Sequence, residues 1–392
     1  MSIRSKQKTV ILYKFSYMNL SYWELKNWFS GIDYTIVGSG IVGLHAALHL
    51  RERFPDRKIL VLEKGMLPQG ASTKNAGFAC FGSLSEIIDD LRTHSEEEVI
   101  ALIRKRWQGL QLLRKGLGDD TINFLPYGGY ELFLNDDESN FKECLAKMPF
   151  INNVFKPLFK SDVFVKQSDH FSFMGIQKDL IFNPFEAQID TGNMMQALLK
   201  KAITENILIL NQQNVTGFHE TQNGVDIALG DFSFKSKKIL FATNGFAGAL
   251  TNDAVKPARA QVLITEPIPG LHIKGTFHLD KGYYYFRNIG DRILFGGGRN
   301  LDFEGETTTE FGHTELIQNR LEKLLKDVIL PETDFKIEHR WSGIMGLGAT
   351  KTPIVEQISE HVYCGVRLGG MGVAIGSLIG NELADLVKDT VW

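Results

Sequence analysis

The chain has 392 residues, of which 43% are hydrophobic and 23% charged, and its formal net charge is −3. A chain of this length can bury two sizeable cores, and the lack of a basic excess argues against nucleic acid as a partner. The three cysteines are scattered and fit neither a disulfide framework nor a metal spacing, which predicts a reducing, cytoplasmic compartment and no metal site. No apolar run reaches the length of a membrane span.

The charged residues among positions 1–17 are all basic. Such a leader is typical of a transit peptide, but its apolar part is too short for a signal-peptide core. We favour the alternative that it is an extension ahead of an initiator at Met18. Ser21 and Glu24 form a capping-box pattern, which predicts a short helix over 22–29.

A glycine-rich turn follows the first apolar run, in the sequence DYTIVGSGIVG over 33–43. Gly38, Gly40 and Gly43 have the spacing G-x-G-x-x-G, and a helical pattern begins at once, which predicts a dinucleotide-binding strand–turn–helix. Gly38 permits the tight turn, Gly40 lets a pyrophosphate approach the backbone, and Gly43 lets the helix pack on the strand. The N–H groups and dipole of the helix then face the phosphates.

The segment KILVLE over 58–63 predicts a second buried strand, after a helix that Pro55 ends. Glu63 lies at the end of this strand, where an acidic residue accepts hydrogen bonds from a ribose diol. The alternative is a solvated residue at a strand end. The glycine motif upstream favours the ribose hypothesis.

The next loop, over 65–83, places Ser72, Thr73, Lys74 and Asn75 between glycines. Small and hydroxylated residues suit a segment pressed against a ligand, whereas a flexible surface loop is the alternative. The length of the loop and its lack of a regular pattern favour a functional role.

The rest of the chain alternates between helical and strand-like patterns, with a poorly periodic stretch over 150–173. The final strand leads into a glycine-rich helix whose Gly372, Gly376 and Gly380 allow close packing. The predicted helices cover parts of 86–118, then 190–203, 313–328 and the segment from 372. The predicted strands cover 130–135, 207–210, 215–219, 224–229, 232–234, 238–243, 261–266 and 362–366, with a hairpin of 282–286 and 292–296 turning at Gly290 and Asp291.

Four parts of the sequence carry a family resemblance. They are IVGSGIVG (36–43) with ILVLEK (59–64), GASTKNAGF (70–78), KILFATNG (238–245), and RWSGIMGLGATKTPIVEQ (340–357) with VYCGVRLGGMGVAIGSLIG (362–380). Together they resemble the D-amino-acid oxidase family of FAD-dependent oxidoreductases, which includes glycine oxidase, sarcosine oxidase and γ-glutamylputrescine oxidase. The last pair is the most specific, because many dinucleotide enzymes share the glycine motif and the acidic residue.

The resemblance implies an α/β fold with a discontinuous, Rossmann-like three-layer FAD-binding domain and a second α+β substrate domain on an antiparallel sheet. The three separated blocks of αβ elements agree with this. We therefore predict an N-terminal extension and short helix over 1–31. The predicted FAD-binding parts are 32–85, 183–260 and 338–392, and the predicted substrate parts are 86–182 and 261–337.

The resemblance also implies which residues contact FAD. A glycine-rich helix N-terminus near the flavin would stabilise the negative charge of the reduced ring. Sarcosine oxidase links its flavin through a cysteine, and none lies between Trp341 and Val355, so we predict noncovalent FAD. The implied contacts are Gly38, Gly40, Ile41, Val42, Gly43, Glu63, Lys64, Ser72, Thr73, Asn75, Ala76, Gly77, Val215, Thr243, Asn244, Gly245, Gly343, Gly369, Gly370, Met371 and Gly372.

The sequence departs from the family at the substrate carboxylate. Glycine and D-amino-acid oxidases have an arginine shortly after the motif matching 341–343, and none follows here. This stretch looks more like the γ-glutamylputrescine oxidase branch, which points to an amine. Arg287, Arg340 or Arg367 could supply a cation from elsewhere, or each could form a structural ion pair.

Tyr284 falls where the resemblance places an active-site tyrosine, on the strand above the flavin. Alternation puts Tyr284 and Phe286 on one face of that strand, and Tyr283 and Tyr285 on the other. Ordinary aromatic packing is the alternative for Tyr284. The position of an oxygen-activating lysine in sarcosine oxidase matches Leu294, which places fast reaction with oxygen in doubt.

The sequence therefore predicts an FAD enzyme that oxidises a C–N bond of a small amine or amino acid to an imine by hydride transfer to flavin N5. One alternative keeps the fold but passes electrons to an acceptor partner rather than oxygen. Another is a flavin-binding component without its own small-molecule activity. An NAD dehydrogenase is disfavoured by the loop at 70–77 and by the C-terminal glycines.

Overall fold

The structure, a computed structural model, describes residues 19–251 and 254–388. The predictions on residues 1–17 and Met18 lie outside these described residues. The helices are α1 (Tyr22–Glu24), α2 (Ile41–Arg53), α3 (Leu84–Asp90), α4 (Glu96–Leu117), α5 (Glu138–Phe159), α6 (Thr191–Thr204), α7 (Glu315–Leu324) and α8 (Gly372–Asp385). Single π-helical turns extend α1 over Leu25–Phe29 and α7 over Leu325–Ile329.

The strands form two large sheets and one two-stranded sheet. They are β1 (Ile32–Val37), β2 (Ile59–Leu62), β3 (Phe78–Ala79), β4 (Gly129–Leu132), β5 (Val165–Ser168), β6 (Asp179–Asn183), β7 (Ala187–Gln188), β8 (Leu208–Leu210), β9 (Gly217–Thr221), β10 (Gly224–Leu229), β11 (Phe232–Phe241), β12 (Lys256–Thr265), β13 (Thr276–Leu279), β14 (Tyr284–Ile289), β15 (Arg292–Gly297), β16 (Ile337–Leu347), β17 (Ile354–Gln357) and β18 (Val362–Val366).

The first sheet has the order β17-β18-β11-β1-β2-β8, with β9 and β10 attached to β11. Its central strands β18, β11, β1, β2 and β8 run parallel, and Tyr34 lies opposite both Ile59 and Lys238. Layers cover both faces, so these strands are continuous apolar runs, as a buried parallel sheet requires. The two strands predicted over 232–243 are one strand, because its first half pairs with β10 and its second half with β1.

Helices α2, α4, α6 and α8 pack on one face of this sheet, while the β9–β10 hairpin and Phe29 cover the other. A Cβ on Gly380 would lie 2.6 Å from the carbonyl oxygen of Val42, so the predicted close packing of the last helix is confirmed. Leu110 and Leu113 of α4 belong to this core. Val99 and Ile103 of the same helix belong to a different core, with α3 and α5, so α4 contacts both parts of the protein.

The second sheet has the order β16-β12-β15-β14-β13-β4-β6-β5 and is antiparallel except between β4 and β13. Its outer face packs on α7 through an aromatic core that includes Phe277, Phe286 and Phe295. The predicted hairpin is confirmed, with Ile289 opposite Arg292. Strands β12 and β16, which cross the predicted boundaries at 260 and 338, pair along their whole lengths inside this sheet.

Helix α5 was not predicted by the sequence, which we interpreted as poorly periodic over 150–173. Pro149 and Pro157 lie inside the helix and break the expected pattern. Tertiary packing outweighs this, because Phe155 and its neighbours bury against α3. Among the described residues, no helix is both long and apolar enough to cross a membrane.

Candidate functional site

A cavity of about 1610 Å³ opens between the two sheets. Ligand pockets commonly measure roughly 300–1000 Å³, so this one has room for a dinucleotide and a small substrate together. The carboxyl ends of β1, β2 and β11 border it on one side, and β12, β13 and β14 border it on the other.

The glycine turn forms the floor of the cavity. Gly38 has φ +106°, and a Cβ there would lie 2.8 Å from the carbonyl oxygen of Ala242. A Cβ on Gly40 would lie 2.8 Å from Oγ of Ser72, so glycine at this position allows the Ser72 side chain to approach the turn closely. A Cβ on Gly43 would overlap the carbonyl oxygen of Gly38, which agrees with its predicted packing role. Gly38 and Gly40 line the cavity, whereas Gly43 lies beneath them.

The N-terminus of α2 faces the cavity through Ile41 and Val42. Gly40 provides no side-chain cap, and the Ile41 N–H donates to Oγ of Ser72 at 3.0 Å. The positive end of the helix dipole therefore points into the cavity, where it would favour an anionic group.

Glu63 is buried at the end of β2 and lines the cavity. Its Oε2 accepts from the N–H and the hydroxyl of Ser39, and its Oε1 accepts from the N–H groups of Gly65 and Gln69. The carboxylate thus fastens the glycine turn to the following loop. The sequence did not predict this structural role, and the contact between Glu63 and a ribose stays a prediction.

The loop over 65–83 is held by its own side chains. Oδ1 of Asn75 accepts from the Gly77 N–H and from the Thr191 hydroxyl, and its Nδ2 donates to the carbonyl of Ser72. The Thr73 hydroxyl donates to the carbonyl of Pro68 at 2.6 Å. Ser72, Asn75 and Ala76 line the cavity, whereas Thr73 and Gly77 do not.

The C-terminal part of the chain closes the far end of the cavity. The N-terminus of α8 has no side-chain cap. Oδ1 of Asn244 accepts from the N–H groups of Arg367 and Leu368, which positions the turn before this helix. Gly245 packs against the backbone of Met345 and does not reach the cavity. The predicted residues that line it here and nearby are Lys64, Val215, Thr243, Asn244, Gly343, Gly369, Gly370, Met371 and Gly372.

Tyr284 requires a correction, because its side chain does not line the cavity. It is 4% exposed and belongs to the aromatic core on the outer face of the second sheet, with its ring 6.4 Å from that of Phe295. Tyr283 and Tyr285 line the cavity instead. Alternation along a strand shows which residues share a face, but not which face meets a ligand. Burial raises the pKa of Tyr285 to about 12, so its hydroxyl stays neutral.

The three arginines suggested by the sequence do not line the cavity. Arg287 donates to Gln188, Arg340 donates to Gln318 and Glu322, and Arg367 donates to the carbonyl of Thr352. Among the described residues, the arginine that lines the cavity is Arg299, which follows β15 and which the sequence did not predict.

A charged cluster that the sequence did not predict borders the cavity. Nζ of Lys351 lies 2.9 Å from Glu86 and 2.7 Å from Asp90, and Nζ of Lys281 lies 3.1 Å from Asp89. Burial opposes the charged form of Glu86, but Lys351 and Arg106 outweigh it and hold the pKa of this carboxyl below its usual value. Burial raises the pKa of Asp90.

A buried histidine–carboxylate pair lies beside this cluster. Nε2 of His278 is 2.9 Å from Oε2 of Glu186, which also accepts from the Thr276 hydroxyl at 2.9 Å. Burial opposes the charged imidazole, but Glu186 outweighs it and raises the pKa of His278. Cys80 brings a third potential metal-ligating atom to this pair, within 4.8 Å of the others. No sequence spacing marks the group, because its members come from three distant segments.

Two named relatives align with most of this chain. A probable oxidoreductase, OrdL, from Haemophilus influenzae is 22% identical over 375 residues, covering 91% of this chain and 82% of that protein. A gamma-glutamylputrescine oxidoreductase from Escherichia coli is 24% identical over 379 residues, covering 91% of this chain and 83% of that protein.

The fold has a solved counterpart in glycine oxidase from Geobacillus kaustophilus, with a TM-score of 0.71 at 17% identity over 92% of this chain and 96% of that one. The likeness confirms the predicted α/β fold class. The model of the DAO family, described as FAD dependent oxidoreductase, matches residues 33–386. This protein therefore belongs to the DAO family of FAD-dependent oxidoreductases.

Proposed function

We propose that the chain binds FAD noncovalently in the cavity and uses it to oxidise a C–N bond of an amine or amino acid to an imine, which water then hydrolyses. The observation that carries this proposal is that the N-termini of α2 and α8, neither of them capped by the side chain of its own N-cap residue, face one cavity. Helix N-termini stabilise negative charge, so α2 suits the pyrophosphate and α8 suits the ring of a reduced flavin.

Noncovalent binding is supported by the state of the cysteines. Cys144 and Cys364 do not line the cavity. Cys80 lines it, but burial and the nearby carboxylate of Glu186 raise the pKa of its thiol well above the usual value. Only a thiolate is a strong nucleophile, so Cys80 is poorly suited to form a bond to the flavin ring.

The bound flavin would accept the hydride that leaves the carbon next to nitrogen, which is chemistry that the cofactor supplies. The protein's task is to hold a neutral amine in place and to exclude water. Phe78, Tyr285, Ala76 and Val262 belong to one apolar cluster and line the cavity, which limits the access of water. Within residues 19–251 and 254–388, no hydrogen bond engages the Tyr285 hydroxyl, which leaves it available to orient the substrate.

The test begins with the visible spectrum of the purified protein, followed by anaerobic addition of a panel of amines and D-amino acids. We expect a flavin spectrum that one class of compound bleaches. A colourless protein that takes up no FAD would overturn the proposal. A stable flavin that no compound reduces would favour the flavin-binding component instead.

Tyr285→Phe tests the role of the hydroxyl, with Tyr284→Phe as the matched control on the opposite face. Loss of one substrate hydrogen bond is expected to slow flavin reduction at low substrate roughly 5- to 15-fold in Tyr285→Phe. The control should change it less than about twofold. Equal effects in both variants would contradict the assignment of Tyr285 to the substrate.

A second candidate, electron transfer to a carrier rather than to oxygen, is favoured by Leu294. This residue is buried against Ala76 and Val262, and the resemblance places an oxygen-activating lysine at its position. After anaerobic reduction, admission of air distinguishes the two candidates. Slow return of the flavin colour in air but fast return with an artificial dye acceptor would support the carrier. Fast return in air would support the oxidase.

A further inference from the structure

Three side chains that can bind a metal ion meet between β3, β7 and β13. They are Cys80, Glu186 and His278, and one potential ligand atom of each lies within 4.8 Å of the other two. All three residues are buried, with exposed fractions of 4%, 1% and 6%. Cys80 and His278 line the cavity, whereas Glu186 does not. The group is therefore enclosed by protein on one side and faces the cavity on the other.

The backbone fixes the positions of two members of the group. Strand β3 pairs with β7 in antiparallel register, with Ala79 opposite Ala187. Cys80 and Glu186 are the next residues along this register, so they meet at the end of the two-stranded sheet. Their closeness thus follows from strand pairing and not from a flexible loop.

The side chains of Glu186 and His278 are held by their neighbours. Nε2 of His278 lies 2.9 Å from Oε2 of Glu186, and the Thr276 hydroxyl donates to the same oxygen at 2.9 Å. The ring of His278 meets that of Phe78 edge to face, with the centroids 5.4 Å apart. A Cβ on Gly129 would overlap the Glu186 carboxylate, so this glycine of β4 makes room for it. Supporting contacts of this kind orient the ligands of metal sites.

The carboxylate of Glu186 is not neutralised by a lysine or an arginine. In the part of the chain that the structure covers, its ion-pair partner is His278, and no lysine or arginine pairs with it. Lys351, which borders the same side of the cavity, contacts Glu86 and Asp90 instead. A divalent cation would balance the carboxylate of Glu186 together with the thiolate of Cys80.

We propose that Cys80, Glu186 and His278 bind a zinc ion through Sγ, a carboxylate oxygen and Nε2, with a fourth coordination position open to the cavity. Sulfur, nitrogen and oxygen ligands together are typical of Zn²⁺, whereas Mg²⁺ and Ca²⁺ take oxygen ligands. Three protein ligands and one open position form the arrangement of catalytic zinc sites, in which the open position holds water or a substrate atom. The sequence, whose cysteines show no metal spacing, predicted no metal site.

The distances suit a zinc ion after small shifts. Zinc bonds of about 2.0–2.3 Å at tetrahedral angles place two ligand atoms roughly 3.3–3.6 Å apart. The 2.9 Å between Nε2 and Oε2 would lengthen slightly, and the other two separations are at most 4.8 Å. A coordinated thiol is deprotonated, so binding would release the thiol proton of Cys80. The metal would also take the place of the Nε2 proton of His278, and both protons would pass to water.

The first test replaces zinc by cobalt, whose tetrahedral thiolate complexes absorb at the red end of the visible spectrum, beyond the bands of oxidised flavin. The full chain, with whatever FAD it retains, is treated with a chelator and titrated with Co²⁺. We expect one equivalent of Co²⁺ to produce these bands and Zn²⁺ to abolish them, because zinc binds such ligands more tightly than cobalt. Absence of the bands, together with no zinc in the untreated protein by elemental analysis, would overturn the proposal.

This inference goes beyond the proposed function and its test needs neither FAD nor substrate. Cobalt bands in a protein that takes up no FAD would sustain the zinc site while the proposed function fails. A flavin that amines reduce, in a protein without the bands and without zinc, would have the opposite meaning.

Cys80→Ser should raise the Kd for zinc more than about 100-fold, because the loss of a contact around the ligands alone costs about 10- to 100-fold. Cys364→Ser is the matched control and should leave the Kd unchanged. Cys364 is also buried, and its Sγ lies 3.8 Å from a carboxylate oxygen of Glu356. Equal Kd values in the two variants would overturn the assignment of Cys80.

Two further variants separate the site from an adventitious ion. His278→Gln should abolish the cobalt bands, and Thr276→Val should keep them but raise the Kd for zinc about 10-fold, since its hydroxyl orients Glu186. The melting midpoint verifies that each variant is folded, and Thr276→Val provides the result if His278→Gln does not fold. Zinc bound with the wild-type Kd in Cys80→Ser and in Thr276→Val would identify an ion held elsewhere and overturn the proposal.

Discussion

The two walls of the cavity are built by different means. In the nucleotide wall, which the first sheet forms with α2 and α8, backbone packs directly against backbone. Gly43 contacts Gly38, and Gly380 contacts the carbonyl of Val42. The substrate wall, which the second sheet forms, is stabilised by pairs of buried polar side chains, such as Glu186 with His278 and Glu306 with Arg259. The first wall depends on the absence of side chains at fixed spacing, and the second depends on the pairing of specific side chains.

This difference decides how far each wall tolerates change. A close backbone contact fails when a single methyl group is added, because a packed interior cannot move aside. A buried ion pair fails when one partner is removed, because the other keeps its charge without hydration. The four variants below probe the two walls, beginning with the largest expected effect.

Gly43→Ala should break the nucleotide wall. The added methyl would overlap the carbonyl oxygen of Gly38, so we expect a loss of more than about 3 kcal/mol of stability and of FAD uptake. Gly116→Ala is the matched control, since nothing lies within 4 Å of its Cβ, and alanine there should stabilise α4 by up to about 1 kcal/mol. Urea unfolding and flavin content measure both. Normal FAD content in Gly43→Ala would refute the packing role.

Glu186→Gln should damage the substrate wall by about 2–4 kcal/mol, because it removes the charge partner of His278. The raised pKa of His278 makes the pair stabilising below the unfolded pKa of about 6.5, and this is lost as the pH rises through the folded value. The deficit of Glu186→Gln should therefore be larger at pH 6 than at pH 9. Glu332→Gln, an exposed carboxylate, is the control. A deficit that grows with pH would contradict the pairing.

Lys351→Met should cost about 1–2 kcal/mol, a buried-pair value reduced because the lysine side chain is 38% exposed. The lowered pKa of Glu86 implies stability that is present above its usual pKa and lost as the pH falls through the folded value. The deficit should thus be full at pH 7 and shrink below about pH 4. Lys323→Met, from an exposed ion pair with Asp327, should cost less than about 0.5 kcal/mol. Equal losses of stability in Lys351→Met and Lys323→Met, measured by thermal unfolding, would contradict a particular role for Lys351.

His45→Gln tests how the stability of the half that contains the first sheet depends on pH. Burial, with smaller contributions from Lys201 and His49, lowers the pKa of His45 to about 4. The folded state then binds fewer protons than the unfolded state, so this stability is complete above pH 6.5 and is lost as the pH falls toward 4. The His45 ring is partly shielded from water, so we expect the free energy of unfolding to fall by about 1–2 kcal/mol between pH 6.5 and pH 4. His45→Gln should weaken this pH dependence. An unchanged slope in urea unfolding would show that another group carries it.

Much of the nucleotide half follows from local patterns. The turn at Gly38–Gly43, the buried strand before Glu63 and the last glycine-rich helix were all predicted, since each needs only spacing within a short segment. The loop over 65–83 was also predicted to face a ligand, and it lines the cavity through Ser72, Asn75 and Ala76. The sequence did not predict helix α5, because its two prolines interrupt the helical pattern.

The sequence by itself determined the family, the Rossmann-like fold class and the position of the nucleotide turn, because backbone constraints of this kind are local and glycine marks them directly. The tertiary structure alone decided which tyrosines and which arginine line the cavity. It also decided the pairs that hold the substrate wall, since Lys351 and Glu86 are 265 residues apart and His278 and Glu186 are 92 apart. Side-chain pairing across such distances depends on how the sheets are placed together, which no local pattern contains.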